Sequence, residues 1–569
     1  MDIKFPLGYD DFSRIREENF YYVDKTGFIR ELLSKTFQAN LITRPRRFGK
    51  TLTLSMLKDF FDISRDSRQH FEGLKISEET ELCREWMNQW PTLFLTLKSV
   101  EGNDFGTAFE RLKILVANLC KTVAFLENSQ KADADDRILF KALKGQKADS
   151  ANLTDSLLLL TRMMNAHYGK PVILLIDEYD VPLAKAGEHG YYTEMLDVIR
   201  AMIGTVLKTN PYLKFAVVTG CLRISKESIF TGTNHFVPDT IIDERFDEYI
   251  GFTEADMKLL LERTGFSEYA EHIRAWYDGY RFGNVDVYCP WDVLNYLNAL
   301  QKNPNAKPRA YWANTSENSI LKKFFRKAGR TTKAEIEKLI AGDSVRKKIS
   351  VQLTYEELDK TIGNLWSVLY LTGYLTAKAA EEDGILELVI PNQEIREIFI
   401  TQISEWFTEA VVGGQQEKWD SFCKALEQGD AQRAESLFTA FLKNGISVRD
   451  TAVADSKKEN FYHGVLLGLM MCRDDWNVFS NHEDGDGYSD IHVEAGEDTA
   501  FVMEVKYAEK DALDAGCKKA MKQMEEKRYV EGLADLGFRT IYAYGVACYK
   551  KHCKIVCKTV ICGEDESRL

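Results

Sequence analysis

Proline is scarce in this sequence, with 11 residues in 569, and no stretch is dominated by one or two residue types. That excludes the proline-rich and low-complexity segments that remain extended in water. No motif recurs at solenoid periods. Long apolar runs are also missing. The longest, around Val172–Ile176, has the length of a strand, well short of the roughly 20 residues that a membrane-spanning helix needs. The N-terminus, MDIKFPLGYDD, has no basic region followed by a long apolar segment, so no secretory leader is expected. The 11 cysteines are odd in number, scattered and without a CxxC pair, as in a chain with reduced thiols rather than a disulfide framework. A cytoplasmic protein with no membrane partner is expected. Excess positive charge is absent too. A formal net charge of −13 offers no global attraction to nucleic acid, so any such contact must use a local basic patch.

What is present is ordinary globular composition, 45% hydrophobic and 28% charged, in a chain long enough for three or four domains. The segment Ala39–Thr43 reads as a short strand. It runs into Arg44-Pro45-Arg46-Arg47-Phe48-Gly49-Lys50-Thr51, after which Leu52, Leu54, Met56, Leu57, Phe60 and Phe61 mark one side of a helix. Strand, loop ending in Gly-Lys-Thr, then helix is the setting of a phosphate-binding loop. Gly49 lets the backbone approach a phosphate, the helix N-terminus supplies a positive field, Lys50 supplies a point charge, and the Thr51 hydroxyl suits Mg²⁺. The usual first glycine of such a loop is Arg44 here. Arg46, Arg47 and Phe48 complete the expected nucleotide-binding stretch.

The run Val172-Ile173-Leu174-Leu175-Ile176 ends in Asp177-Glu178-Tyr179-Asp180. An unbroken aliphatic run fits a central parallel strand buried on both faces, and ligands in open α/β sheets sit at the carboxyl ends of such strands. Asp177 is expected to hold Mg²⁺ and Glu178 to polarise the attacking water. Residues 91–97 and 214–220 read as two further strands of the same sheet. Thr219, at the end of the latter, is the candidate γ-phosphate sensor, with Arg223 just beyond as a charge sensor or a surface arginine.

Four stretches, Tyr21–Thr26, Leu41–Thr51, Ile176–Asp180 and Thr219–Lys226, carry a resemblance to the AAA-ATPase-like family of bacterial proteins. That family shares Arg-Pro-Arg-Arg-Phe-Gly-Lys, so the resemblance makes Arg44 a family variant. It covers roughly residues 1–245 and implies a P-loop NTPase fold using ATP. Residues 246–345 are expected to form a helical or winged-helix-like lid, with a helix capped by Thr253. Its aromatic stretches, Trp276–Gly283 and Tyr288–Asp292, suit core packing better than base stacking. Residues 346–450 read as a connector domain.

In residues 451–569, Asp490 precedes the strand Ala500–Lys506 that ends in Glu504-Val505-Lys506. Strand alternation puts Glu504 and Lys506 on one face and Val505 on the other. Two carboxylates suit Mg²⁺ or Mn²⁺, and Lys506 suits a water or a scissile phosphate. A basic segment, with ten Lys or Arg against four Asp or Glu from Lys518 to Lys558, reads either as a contact for a phosphate backbone or as a solvated helix face. The order helix, strand, acid, buried strand with ExK, helix resembles the PD-(D/E)XK nuclease superfamily, a restriction-endonuclease-like α/β fold. The resemblance implies catalytic and metal roles for Asp490, Glu504 and Lys506. It matches Glu459 to an acid of the first helix and makes Glu483 a further candidate ligand. It also leads one to expect Arg where Tyr488 stands. His463 reads as a packed helix histidine.

The combined expectation is an ATPase coupled to a metal-dependent nuclease that acts on nucleic acid, with DNA ahead of RNA. The alternative is a nucleotide-regulated binding or scaffold protein whose nuclease-like domain does not cut. A homo-oligomer is compatible with the sequence, which assigns no residue from one subunit to another's site.

Overall fold

The unbroken aliphatic strand lies where its burial pattern demands, inside a parallel sheet covered on both faces. The computed structural model describes residues 3–35, 37–222, 236–312 and 321–562, with interruptions at 322–323, 325–326, 352, 354–356, 359, 381–383, 412–415, 446–454, 472, 474 and 509–511. Strands β1 (Ala39–Thr43), β2 (Thr92–Thr96), β3 (Val172–Asp177), β4 (Leu213–Gly220) and β5 (Phe236–Asp239) form one sheet in the order β2-β3-β4-β1-β5. Every neighbouring pair in it is parallel. All six residues of β3 are buried.

Alternation along the strands divides the core. Leu41, Leu174, Ile176, Ala216 and Val218 share one cluster with helices α2 (Phe105–Thr122), α3 (Ser156–Tyr168) and α4 (Tyr192–Leu207). On the opposite face the helix after the loop, α1 (Lys50–Phe61), sets Phe61 edge-on against Phe215 of β4 at 5.7 Å. Fully burying side chains of this size stabilises the fold by about 1.5–3 kcal/mol each. That is why the loop between β1 and α1 is held at both ends.

The helix cap read from the sequence at Thr253 is present after the sheet. Thr253 caps the helix Glu254–Thr264, and Asp256 reaches back to the Thr253 N–H in a reciprocal capping box. Strands Phe252–Thr253, Tyr280–Phe282 and Val285–Tyr288 make a small antiparallel sheet. Tyr277, Tyr280 and Tyr288 are buried, so these aromatics are packing residues.

The chain divides into two units. One joins Met1–Trp312 to Lys347–Gln393, and the other joins Ala313–Arg346 to Glu394–Leu569. The second contains a mixed sheet of β6 (Asn477–Asp484), β7 (Gly487–Glu494), β8 (Thr499–Tyr507), β9 (Thr540–Tyr549) and β10 (His552–Ile561), in that order. Only β8 and β9 run parallel. Met503 and Val505 pack in one cluster with helix α5 (Asp455–Met470). Ala500 and Val502 pack in another with Met524 of helix α6 (Leu513–Glu526) and with Tyr529. Both faces of β8 are thus covered, and charged groups on it are held inside protein.

No described helix is long and apolar enough to cross a membrane.

Candidate functional site

The strand order places the phosphate-loop residues and the acidic strand end within reach of each other. Because β4 separates β1 from β3, Thr219 at the end of β4 stands between the Thr51 and Asp177 regions. Both hydroxyls donate to the same carboxylate: Thr51 Oγ1 to Asp177 Oδ2 at 2.8 Å, and Thr219 Oγ1 to Asp177 Oδ1 at 2.6 Å. Asp177 is fully buried. Gly49 has φ +93°, a left-handed conformation that glycine adopts without strain, and no neighbouring atom lies where its Cβ would stand. Lys50, almost buried, points its ammonium at the loop's own carbonyls, Arg44 O at 2.9 Å and Pro45 O at 2.8 Å. Glu178 follows Asp177 with φ +52°. Burial, then the charge of Asp177, raises its pKa, and Lys50 and Arg46 oppose the shift. A raised carboxyl pKa suits a group that must take a proton near neutral pH.

The other loop residues divide by direction. Arg46 lies on the Glu178 side and near the Cys221 thiol. Arg47, at φ +69°, donates to Tyr311 O at 2.8 Å and lies over the Trp291 ring. The buried Phe48 packs between Tyr280 and Phe282, 5.0 Å from each ring centre. Arg47 and Phe48 therefore anchor the loop to the small antiparallel sheet region. Arg223 lies outside the described residues.

Arg44 has a structural destination that its neighbours in sequence do not reveal. Its guanidinium, wholly buried, donates to Thr43 O (3.0 Å), Asp239 O (3.1 Å) and Arg245 O (3.2 Å) and lies over the Phe282 ring. It thus ties the loop's entry to the end of β5 and the turn beyond. Burial pulls its pKa down to about 10, which still leaves it charged at neutral pH. Arg44→Gly would restore the more common loop glycine yet strand three carbonyls around a cavity. The expected result is a loss of about 3 kcal/mol or more in denaturant unfolding of the first unit.

Asp180 also has a role that the sequence left unassigned. Its Oδ2 accepts from the backbone N–H groups of Cys221 and Leu222 (2.8 and 3.0 Å) and fixes the turn after β4. Gly220, at that turn, leaves no room for a side chain. An added Cβ would stand 2.6 Å from the buried Tyr179 ring and 2.8 Å from Asp180 Oδ1. Gly220→Ala is expected to cost about 1–3 kcal/mol, read as a lower unfolding midpoint.

In the second unit, Asp490, Glu504 and Lys506 gather where the β7–β8 pairing ends, near the carboxyl end of β8. Ile491 pairs with Met503, and Asp490, one residue beyond, accepts the Val505 N–H on Oδ2 at 2.7 Å. Lys506 Nζ donates to Glu504 Oε1 at 2.7 Å, and Glu459 Oε2 of α5 stands 3.7 Å from the same ammonium. Glu459 Oε1 accepts the Tyr507 N–H. Glu504 is buried, and its Oε2 has no hydrogen-bond partner. Burial first, and Asp490 next, push its pKa up to about 7, against the pull of Lys506. Gln523 of α6 bonds Tyr529, which is close enough to feel the charges of Glu504, Asp490 and Lys506. His463 is buried on α5, with Nε2 3.2 Å from Ser480 Oγ, and burial lowers its pKa. Glu483 is exposed on β6, and Tyr488, standing where Arg was expected, is mostly exposed.

These features define a P-loop nucleotide-binding domain and, separately, a mixed-sheet domain with a buried carboxylate–lysine cluster. Comparison with known proteins gives the same assignment. Residues 6–230 match the family model described as predicted AAA-ATPase, and residues 457–558 match that of the PD-(D/E)XK nuclease superfamily. The chain therefore carries an AAA-ATPase-like domain followed by a PD-(D/E)XK nuclease-superfamily domain. It is similar to a protein of Azotobacter chroococcum mcd 1 described as "Uncharacterized protein in vnfD 5'region", with 26% identity over 400 residues, covering 69% of this chain and 68% of that one.

Proposed function

We propose that this chain is an ATP-controlled, divalent-metal-dependent nuclease that cuts nucleic-acid phosphodiesters, DNA in preference to RNA. The supporting observation is the convergence of Asp490, Glu504, Lys506 and Glu459 around a buried carboxylate oxygen that lacks a partner. A binding surface has no need to hold two acids and a lysine in a dry strand end, where unpaired charge is costly.

The residues fit a hard cation. Asp490 and Glu504 offer carboxylate oxygens, the donors that Mg²⁺ and Mn²⁺ prefer. Such an ion, when bound, lowers the pKa of water and offsets negative charge on the phosphate. Lys506, held by Glu504 and near Glu459, would orient the attacking water or meet a phosphate oxygen. Val505 fixes the Asp490 carboxylate through its N–H, and Glu459 steadies the strand end at Tyr507. In the first unit, the Thr51 hydroxyl and Asp177 would hold Mg²⁺, Lys50 would leave the Arg44 and Pro45 carbonyls for the phosphates, and Glu178 would take the proton from water. Thr219, bonded to Asp177, would report on the outer phosphate.

The test is cleavage of a DNA and RNA panel with Mg²⁺ or Mn²⁺, with and without ATP, comparing the native chain with Glu504→Gln and Lys50→Ala. Cleavage lost in Glu504→Gln and altered in Lys50→Ala is the expected result. Nucleic-acid effects that persist unchanged in Glu504→Gln would instead favour the non-cutting scaffold.

A further inference from the structure

The β6–β7 hairpin gathers another set of metal-type side chains that the proposed nuclease does not use. Asp484, buried on β6, accepts on the same oxygen from His482 Nδ1 at 3.0 Å and from His492 Nδ1 at 2.8 Å. The Ser489 hydroxyl holds its other oxygen. Ligand atoms of His482, Asp484 and His492 all lie within 4.8 Å of one another. Among the described residues, no lysine or arginine pairs with Asp484. The two imidazoles and the Ser489 hydroxyl are thus the groups that hold this buried carboxylate.

A second observation concerns the far side of the His492 ring. This histidine is wholly buried, and its Nε2 has no hydrogen-bond partner, while Glu494 Oε1 stands 3.8 Å away. A histidine that ligates through one nitrogen commonly offers the proton on the other to a carboxylate.

We propose that His482, Asp484 and His492 bind a zinc-class transition-metal ion that clamps the β6–β7 hairpin. Two imidazole nitrogens and one carboxylate oxygen form a zinc donor set, with the fourth position left to water. Imidazole favours such ions over Mg²⁺, which separates this site from the all-oxygen pair Asp490 and Glu504. Ligation through Nδ1 requires each ring to carry its proton on Nε2; for His492 that position faces Glu494 Oε1. A tetrahedral site with bonds of about 2.0–2.1 Å has ligand–ligand edges of about 3.3 Å. The two nitrogen–oxygen separations, 3.0 and 2.8 Å, need to open by only a few tenths of an ångström, and the two imidazole nitrogens lie within 4.8 Å of each other.

The clamp does not depend on the cleavage reading, and the test keeps the two apart. Full-length chain carrying Glu504→Gln is titrated with Co²⁺ and followed by visible absorption; zinc content after dialysis is measured on the same material. The expected result is one ion per chain, no competition from excess Mg²⁺, and a higher thermal midpoint with Zn²⁺. His482→Ala removes a half-buried ligand and is the variant least disruptive to folding; His492→Ala removes the buried one. Each is expected to weaken Co²⁺ binding at least tenfold, and His482→Ala to erase the Zn²⁺-dependent midpoint shift. Unchanged Co²⁺ affinity in folded His482→Ala, thiolate-type absorption from the cysteines, or no ion bound by the Glu504→Gln chain would each overturn the proposal.

Discussion

Glu504→Gln is expected to reduce metal-dependent cleavage by about a hundredfold or more, because losing a ligand should exceed the 10–100-fold cost of losing a residue that only supports one. The fold is expected to tolerate the change. Gln retains an oxygen where Glu504 Oε1 now accepts from Lys506. It also removes a charge that the protein interior disfavours. Burial pushes the Glu504 pKa up to about 7, above the ordinary glutamate value. Without divalent metal, a carboxyl whose folded-state pKa is raised binds more protons in the folded than in the unfolded chain. Its contribution to stability therefore falls as pH rises from the ordinary glutamate range toward 7. Glu504→Gln should leave metal-free stability equal or higher at pH 8 while cleavage is lost. A variant that both unfolds and stops cutting would assign Glu504 a structural role only. Unfolding curves at pH 5 and pH 8, beside an endpoint cleavage assay, distinguish the cases.

Lys50→Ala is expected to weaken ATP binding about 10–100-fold, the equivalent of losing charged hydrogen bonds worth about 1.5–3 kcal/mol. The ammonium has two duties in this structure. It closes the loop by donating to Arg44 and Pro45, and in the proposed ATP site it would meet a phosphate. Lys50→Met keeps much of the side chain's bulk but has no charge, and should match the alanine in affinity loss while unfolding at a higher denaturant concentration. Calorimetry with ATP and Mg²⁺ measures the binding term. If both variants bind ATP as the native chain does, the loop is not the nucleotide site.

The central elements were legible because their signals are local. The aliphatic run Val172–Ile176 and the Gly-Lys-Thr at a helix start each specify an element within a dozen residues. Alternation in Glu504-Val505-Lys506 likewise places Val505 in a core cluster with α5. The fate of Arg44 was not legible. Its acceptors include Asp239 and Arg245, separated from it by 195 and 201 residues, and no spacing rule links them. Arg47 and Phe48 belong to the motif by sequence, yet their partners lie beyond residue 279. The His482–Asp484–His492 group was missed for a different reason. Its spacing matches no familiar metal motif, and His492 Nδ1 meets Asp484 only once the hairpin has folded back. Glu459 was readable by resemblance alone, because nothing local marks an acid on a helix as one that will reach Lys506.

The interleaving of the two units has a consequence for synthesis on the ribosome. The chain passes from one unit to the other after residues 312, 346 and 393. The first unit is incomplete until Lys347–Gln393 has emerged, although its parallel sheet is finished by Asp239. Ala313–Arg346 leaves the ribosome early but belongs with Glu394–Leu569. At 5–20 residues per second, that segment waits on the order of 10–45 s until Leu569 has been made. No single cut separates the units. A fragment ending near residue 312 would lack part of the first unit, and one starting near 394 would lack part of the second. Shortened versions of this protein must therefore be built by excising or permuting segments.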